Sequence, residues 1–414
     1  MTRWHATLKP ILARAYSRTC AAAMDIAIPR QMPARSFRRI AVVAALSRRN
    51  GIASGAVLQY EMLRRLGFEA ELVDASPALR NPLFRARHTP ASAYVLHCGG
   101  PQTPQLLAAV MPAAAAAWRI AYWAWELPDP PTDWDDYDRL VHEVWTPSRF
   151  ARASLRRLTD RHVDVVPHVV PAATRRRRDG ARPFTVLCFG DSRSSFARKN
   201  PLGALGAFRS AFGESSAAHL VIKLNGSAGE DCPLARAAAG MANVTILTEF
   251  LDAPALRGLY RSADVLLSLH RAEGFGLPML EAMAHGVPVV ATGWSGNLDF
   301  MESDSAILVP ARLVTVEDGA GIYRDSVWAE PDLDVAADAL RILAGDHARW
   351  ERLSIAAHAT ASALAQQVPA PLGQQRARRE QLRAMVAARM AGPPPPSAPQ
   401  PGLGAWDQAQ GEHG

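Results

Sequence analysis

The sequence predicts an α/β protein built from two Rossmann-like, doubly wound parallel-sheet domains in tandem. Three observations predict it. Short apolar runs alternate with segments of helical spacing, and the alternation occurs twice. A polar, arginine-rich stretch at residues 174–183 separates the two sets. Glycine-rich segments follow the first strand of the first set and a late strand of the second, and loops after parallel strands are where such sheets bind ligands.

Length and composition agree with this reading. At roughly 100–200 residues per domain, a chain of 414 residues accommodates two or three domains. Hydrophobic residues make up 49% and charged residues 21%, an ordinary globular balance. No apolar run reaches the roughly 18–20 residues of a membrane-spanning helix. The longest, 111–125, is interrupted by Arg119. Cys20, Cys98, Cys188 and Cys232 are scattered, which argues against a disulfide framework or a zinc site and for a reducing cytoplasm.

The formal net charge of +7 at first suggests nucleic acid. Its distribution argues otherwise. Residues 1–39 hold Arg3, Lys9, Arg14, Arg18, Arg30, Arg35, Arg38 and Arg39 against Asp25 alone, so the rest of the chain is neutral. Residues 1–36 therefore read as a basic leader. It is expected to be disordered, to precede a start at Met24, or to form an amphipathic helix on an anionic membrane. A secretory signal is disfavoured, because no clean apolar core follows the basic residues.

In the first set, strands are expected at 40–46, 69–73, 93–97, 118–123, 143–146 and 163–166. A glycine loop at 50–55 precedes a helix stopped by Gly67, and a second helix fits 149–158. These elements define a domain at roughly 37–175. The second set has strands at 184–189, 220–224, 244–247, 265–269 and 287–291, with helices at 201–212, 253–262 and 279–285. It defines a domain at roughly 183–345. Closing helices are expected over 346–391 and a proline-rich disordered tail over 392–414. Two such domains facing one another create a cleft with two binding edges, suited to a two-substrate transfer.

The most informative segment runs from Ala272 to Ala291. Gly274 and Gly276 remove side chains where a ligand must approach the backbone. Pro278 fits the first helical position, so the helix start offers free N–H groups and a positive dipole end to a phosphate. Glu273 lies in the loop and Glu281 about one turn into the helix. Carboxylates so separated suit hydroxyl recognition along an extended ligand, sugar at one end and ribose at the other. The bland alternative is a buried strand–turn–helix with two solvated glutamates.

This segment resembles the retaining GT-B glycosyltransferases of glycosyltransferase family 4. Their hallmark, E-x-F/Y-G-x-P-x-x-E, is matched at Glu273, Phe275, Gly276, Pro278 and Glu281. The resemblance implies the GT-B fold. It assigns Glu281 to the nucleotide ribose, Glu273 to the donor sugar or to charge at the reacting face, and the backbone of Gly274, Phe275, Gly276 and Leu277 to sugar contacts. Residues 189–201 occupy the loop that carries a basic diphosphate clamp. Lys199 matches its lysine, one of only three lysines (with Lys9 and Lys223) among 46 basic residues. The family's arginine is replaced by Asp191, and Arg193 or Arg198 is expected to substitute.

Other stretches agree. Gly51 and Gly55 lie in a segment resembling the loop that closes over the donor phosphates. Lys223 ends a strand and either faces the donor or is a surface lysine. Asn297 occupies a further sugar-contact loop. Residues 123–128 and 143–150 resemble segments of bacterial polysaccharide-assembly members. Many relatives carry an acceptor-side histidine where the first of these lies, and Glu126 is the candidate in its place. His97 either lines the cleft or is a satisfied strand-end histidine. No metal or other cofactor is expected, since Asp133, Asp135 and Asp136 fall in a tryptophan-rich turn without a metal-site pattern.

The expected function is transfer of a sugar from a nucleotide-sugar donor to a glycan or lipid-linked acceptor, in cell-surface polysaccharide synthesis. The expected setting is the cytoplasm or the inner face of the membrane, and no nucleic-acid partner is expected. A nucleotide-sugar epimerase and a catalytically silent scaffold subunit are the alternatives.

Overall fold

The computed structural model describes residues 2–29, 31–131, 134–178, 180–192, 195–226, 232–319, 321–377 and 380–381. The chain divides into two units, residues 1–371 and 372–414. In the second unit, residues 372–377 are helical and Arg376 Nε pairs with Glu380 at 2.9 Å. The tail expected at 392–414 lies outside the described residues.

The first unit opens with helix α1 (Thr2–Ala27). Strand β1 (Arg39–Ala44), helix α2 (Gly51–Arg65) and strand β2 (Glu69–Asp74) follow. Then come β3 (Ala93–Cys98), α3 (Thr103–Ala109), β4 (Trp118–Trp123), β5 (Glu143–Thr146), α4 (Arg149–Leu155) and β6 (His162–Val165). These strands form one parallel sheet in the order β2-β1-β3-β4-β5-β6. Ile40, Val42, Val43, Leu96, Trp123 and Trp145 are fully buried, as continuous apolar strands between covering layers must be.

The second sheet contains β7 (Phe184–Asp191), β8 (Ala218–Asn225), β9 (Val244–Leu247), β10 (Val265–Ser268), β11 (Val289–Thr292) and β12 (Ile307–Val309). Its order is β12-β11-β10-β7-β8-β9, again parallel. The helices between its strands are α5 (Phe196–Lys199), α6 (Pro201–Phe212), α7 (Pro233–Ala237), α8 (Ala253–Ser262) and α9 (Leu277–Ala284). Alternate residues of β7 serve opposite faces. Val186 and Cys188 pack with Phe208 of α6 and with Leu340, whereas Leu187 packs with Met279 and Met283 of α9. An antiparallel pair, β13 (Ala311–Thr315) and β14 (Val327–Pro331), precedes α10 (Leu333–Gly345) and α11 (His347–Gln366).

Four features differ from expectation. The glycine segment after β1 is helix rather than loop: Asn50 caps α2, accepting a hydrogen bond from Ala53 N at 3.1 Å. Residues 2–27 are helical and docked on the first sheet's layer, through buried Cys20, Ala21 and Met24 and a bond from Tyr16 Oη to Ala78 O at 2.9 Å. The antiparallel pair has no counterpart in the sequence reading, because its short strands carry no clear apolar alternation. Pro278 is the second residue of α9, not the first.

Candidate functional site

In each sheet the strand order reverses beside the first strand of its set, and the carboxyl ends of the strands at such a point are where open parallel sheets bind ligands. In the second sheet the reversal falls between β7 and β10. The segments leaving these two strands carry the charged residues singled out from the sequence. After β7, Ser195 caps α5 by accepting from Arg198 N, and Asn200 takes a left-handed conformation (φ 50°) to cap α6. This tight turn delivers Arg198 and Lys199 together. After β10, Glu273 N is held by Ser295 Oγ at 2.9 Å, and Gly296 N donates to Glu273 O at 2.9 Å. Arg271 N donates to Arg198 O at 2.7 Å, which ties the two turns to each other.

The result is a buried charge cluster. Lys199 Nζ pairs with Glu273 Oε1, and Arg198 Nη1 lies 3.4 Å from Glu273 Oε2. Glu273 is only 7% exposed. Burial pushes its pKa up, but the Lys199 and Arg198 charges outweigh that and hold it at about 2. Arg198 also donates to Ala272 O at 2.8 Å and lies 3.8 Å from Glu126 Oε1. Its guanidinium sits 5.7 Å from the ring centre of Tyr323. The burial that disfavours its charge is overcome by Tyr323, Glu126 and Glu273, which raise its pKa.

His270 is fully buried beside this cluster, and neither ring nitrogen has a hydrogen-bond partner. Burial lowers its pKa to about 4, so it is neutral at physiological pH. Arg198 Nε and Asn297 Oδ1 are likewise buried without partners. Unpaired buried polar atoms are costly, so this convergence marks a place for ligand or water.

Glu281 stands apart from the cluster's bonds. It accepts a 2.6 Å hydrogen bond from Tyr260 Oη of α8. Burial pushes its pKa up to about 7, against the lowering effect of that bond. Phe275 packs between His168, 5.2 Å away, and Phe300, 5.0 Å away, while Leu277 opens α9.

At Gly274 and Gly276 the space that a side chain would fill is taken by protein. A Cβ at Gly274 would stand 3.1 Å from Trp125 O, and one at Gly276 (φ +97°) would stand 3.2 Å from Asn297 Cβ. Gly274 O accepts from Ser148 Oγ at 2.6 Å. The first sheet's loops thus press directly on the loop that follows β10. Gly55 lies inside α2, where a Cβ would come 2.4 Å from His168 Cε1, and Gly51 faces open space. Both lie in the first turns of α2 rather than in a loop. Lys223 bonds to Asn225 Oδ1 at 3.1 Å at its own strand end, away from the Glu273 cluster's bonds. Arg193 lies outside the described residues.

In the first sheet the reversal falls between β1 and β3. Ala45, Arg48, Asn50, His97, Cys98 and Gln102 line a small cavity there. His97 pairs with Gln59 and stacks on Tyr122 at 4.1 Å, but its Nδ1 is unpartnered. Burial, with His168 nearby, keeps its pKa well below the usual histidine range. Among the described residues, no three His, Cys, Asp or Glu side chains are grouped to hold a metal, and no helix is long and apolar enough to cross a membrane.

The sequence reading missed His270, Tyr260 and Tyr323. His270 had a signal, standing three residues before the first glutamate of the motif. Tyr260 and Tyr323 had none, since their partners are distant in sequence.

Comparisons agree with this architecture. Residues 183–319 match the family model described as glycosyl transferases group 1. A D-inositol 3-phosphate glycosyltransferase of Arthrobacter is 44% identical over 73 residues, 18% of this chain and 17% of that protein. One from Paenarthrobacter aurescens is 34% identical over 122 residues, 28% of each chain. The matched stretches thus span less than a third of those relatives. Sucrose-phosphate synthase from Thermosynechococcus elongatus superposes with a TM-score of 0.57 at 14% identity, covering 85% of this chain and 100% of that one. HepE of Anabaena, in complex with UDP and glucose, gives 0.56 at 13%, covering 85% and 100%. The chain therefore has the two-domain GT-B fold, and its residues 183–319 carry the pattern of the group 1 glycosyl transferases.

Proposed function

We propose that this protein is a retaining glycosyltransferase that moves a sugar from a nucleoside diphosphate donor to a hydroxyl of a glycan or lipid-linked acceptor. One observation carries the proposal: Lys199, Arg198 and Glu273 converge at the reversal point of the second sheet. Two cations there are suited to the charge that develops on a departing diphosphate. In this reading Glu273 holds the cations in place in the resting enzyme and turns to sugar hydroxyls when the donor arrives. Glu281 accepts from the ribose hydroxyls, with Tyr260 orienting its carboxylate. Glu126 lies on the acceptor side and, through Arg198, senses donor binding.

The chemistry follows. The bond from the anomeric carbon to the diphosphate oxygen breaks, leaving an oxocarbenium-like centre. The acceptor hydroxyl attacks the same face, and its proton passes to the departing phosphate. Protein groups contribute position and leaving-group electrostatics. UDP is the first nucleotide to test, because HepE is in complex with UDP and glucose. A role in cell-surface polysaccharide synthesis, and contact of α1 with an anionic membrane at the cytoplasmic face, belong to the same reading. No metal is required by it.

The test is product analysis. The enzyme is incubated with nucleotide sugars and hydroxyl acceptors, and the anomeric configuration of the product is read by NMR. Transfer with the donor's configuration supports the proposal. An inverted product would refute retention. Release of epimerised sugar or nucleotide without acceptor would favour an epimerase instead.

A further inference from the structure

At the opposite edge of the second sheet lies a second concave, charged site. The linker to β7 and the last turn of α8 meet at the amino ends of β7 and β10. There Thr174, Arg175, Arg176, Arg177, Arg182 and Arg261 line a cavity of about 320 Å³. The Lys199–Glu273 cluster sits beyond the carboxyl ends of the same two strands, so the two sites are separated by the length of the sheet.

Most of these arginines are fixed from behind. Arg176 is nine-tenths buried, pairs with buried Asp264 at 2.7 Å and stands 5.7 Å from the Trp350 ring centre. Its N–H donates to His285 O at 2.8 Å. Arg175 pairs with Glu351 of α11 at 2.8 Å. Arg182 donates to Ser262 O at 2.8 Å and lies 3.8 Å from Asp264. Arg177 and Arg261 are exposed and have no hydrogen bond or ion pair with the described residues. Five arginines therefore line one cavity, and among the described residues only two carboxylates, Asp264 and Glu351, pair with any of them. Like charges so gathered repel unless an anion occupies the space between them. Planar guanidinium forks match the oxygens of a phosphate.

We infer that this cavity is an anion site that takes a phosphate group, independent of the interdomain cleft. The phosphate is either that of a soluble phosphorylated molecule or that of an anionic lipid headgroup. Arg177 and Arg261 supply the free donors, and Arg175, Arg176 and Arg182 form a rigid floor. An occupant bridges the linker, α8 and, through Arg175, α11, and so fixes the segment connecting the two sheets.

The test uses the full chain, the double variant Arg177→Ala/Arg261→Ala and, as a control for the cleft, Lys199→Ala. Inorganic phosphate and pyrophosphate are titrated by calorimetry, and vesicles of phosphatidylglycerol in phosphatidylcholine are assayed by co-sedimentation. Both replaced side chains are exposed, and thermal melting checks that the double variant is folded. The expected result is that the double variant loses affinity for phosphate, for vesicles or for both by about tenfold or more, while Lys199→Ala keeps it. Loss confined to the soluble anions identifies a soluble ligand, and loss confined to vesicles identifies a headgroup. Binding of both probes undiminished in the double variant, or phosphate binding lost only in Lys199→Ala, would overturn the inference.

Discussion

At the scale of single residues, the site is a set of charges and polar atoms whose states are set by burial. His270 is the clearest case. A neutral imidazole with both nitrogens buried and unbonded costs folding free energy that an apolar side chain of similar size would not. We expect His270→Leu to raise stability by about 1 kcal/mol in denaturant unfolding while weakening donor binding, the trade-off of a ligand-facing group. A loss of stability would mean that His270 is satisfied by a partner in solution. Glu281 gives a pH signature. Its carboxyl is raised from 4.5 to about 7 in the fold, so the native state holds a proton that the unfolded chain has released. The contribution is full below 4.5 and is lost as pH rises through about 7. Glu281→Gln should remove that dependence, so that thermal melting favours the variant over wild type progressively as pH rises across this window. Parallel melting curves at all pH values would contradict the assignment.

At the scale of elements, the apolar runs and helical spacings located both sheets apart from the edge strand β12 (Ile307–Val309), because strands buried on two faces leave a continuous apolar run and a three-residue edge strand leaves too short a one. The glutamate motif likewise located the turn before α9. Function-bearing contacts were less legible. Lys199 and Glu273 lie far apart in sequence and meet only because β7 and β10 are neighbours in a sheet whose order reverses. Tyr323 reaches Arg198 from the loop between β13 and β14, whose strands show no clear period. The glycines were recognised, but what fills the space beside them was not readable from spacing. Gly296 illustrates this. A Cβ there would stand 2.3 Å from Gly274 O and 2.8 Å from Glu273 O, both backbone atoms that cannot rotate away. Gly296→Ala should therefore cost about 1–3 kcal/mol and displace the Glu273 turn, lowering donor affinity together with the melting temperature. Unchanged melting would show that the two turns are not packed against one another.

At the scale of the whole first unit, the two sheets meet directly across the turn that carries Glu273 and Gly274. Ser148 Oγ bonds to Gly274 O at 2.6 Å, Arg149 N to Asp299 Oδ2 at 2.7 Å, and Ser326 Oγ to Asp129 Oδ2 at 2.8 Å. Trp125 packs on Tyr323 at 5.4 Å and Phe150 on Trp294 at 5.2 Å. Loops that follow the strands of the first sheet therefore touch the segment that carries Glu273, which gives the two halves a short physical route to one another. Glu126 and Arg198, 3.8 Å apart, lie on that route. In the proposed function Lys199 grips the diphosphate of a nucleotide donor at this junction. Calorimetric titration of wild type and Lys199→Ala with UDP, GDP, ADP and TDP tests it most directly. Wild type is expected to prefer one base, and Lys199→Ala to weaken binding of that nucleotide by about tenfold or more. Equal binding by the two proteins, or no binding of any nucleotide to wild type, would contradict it.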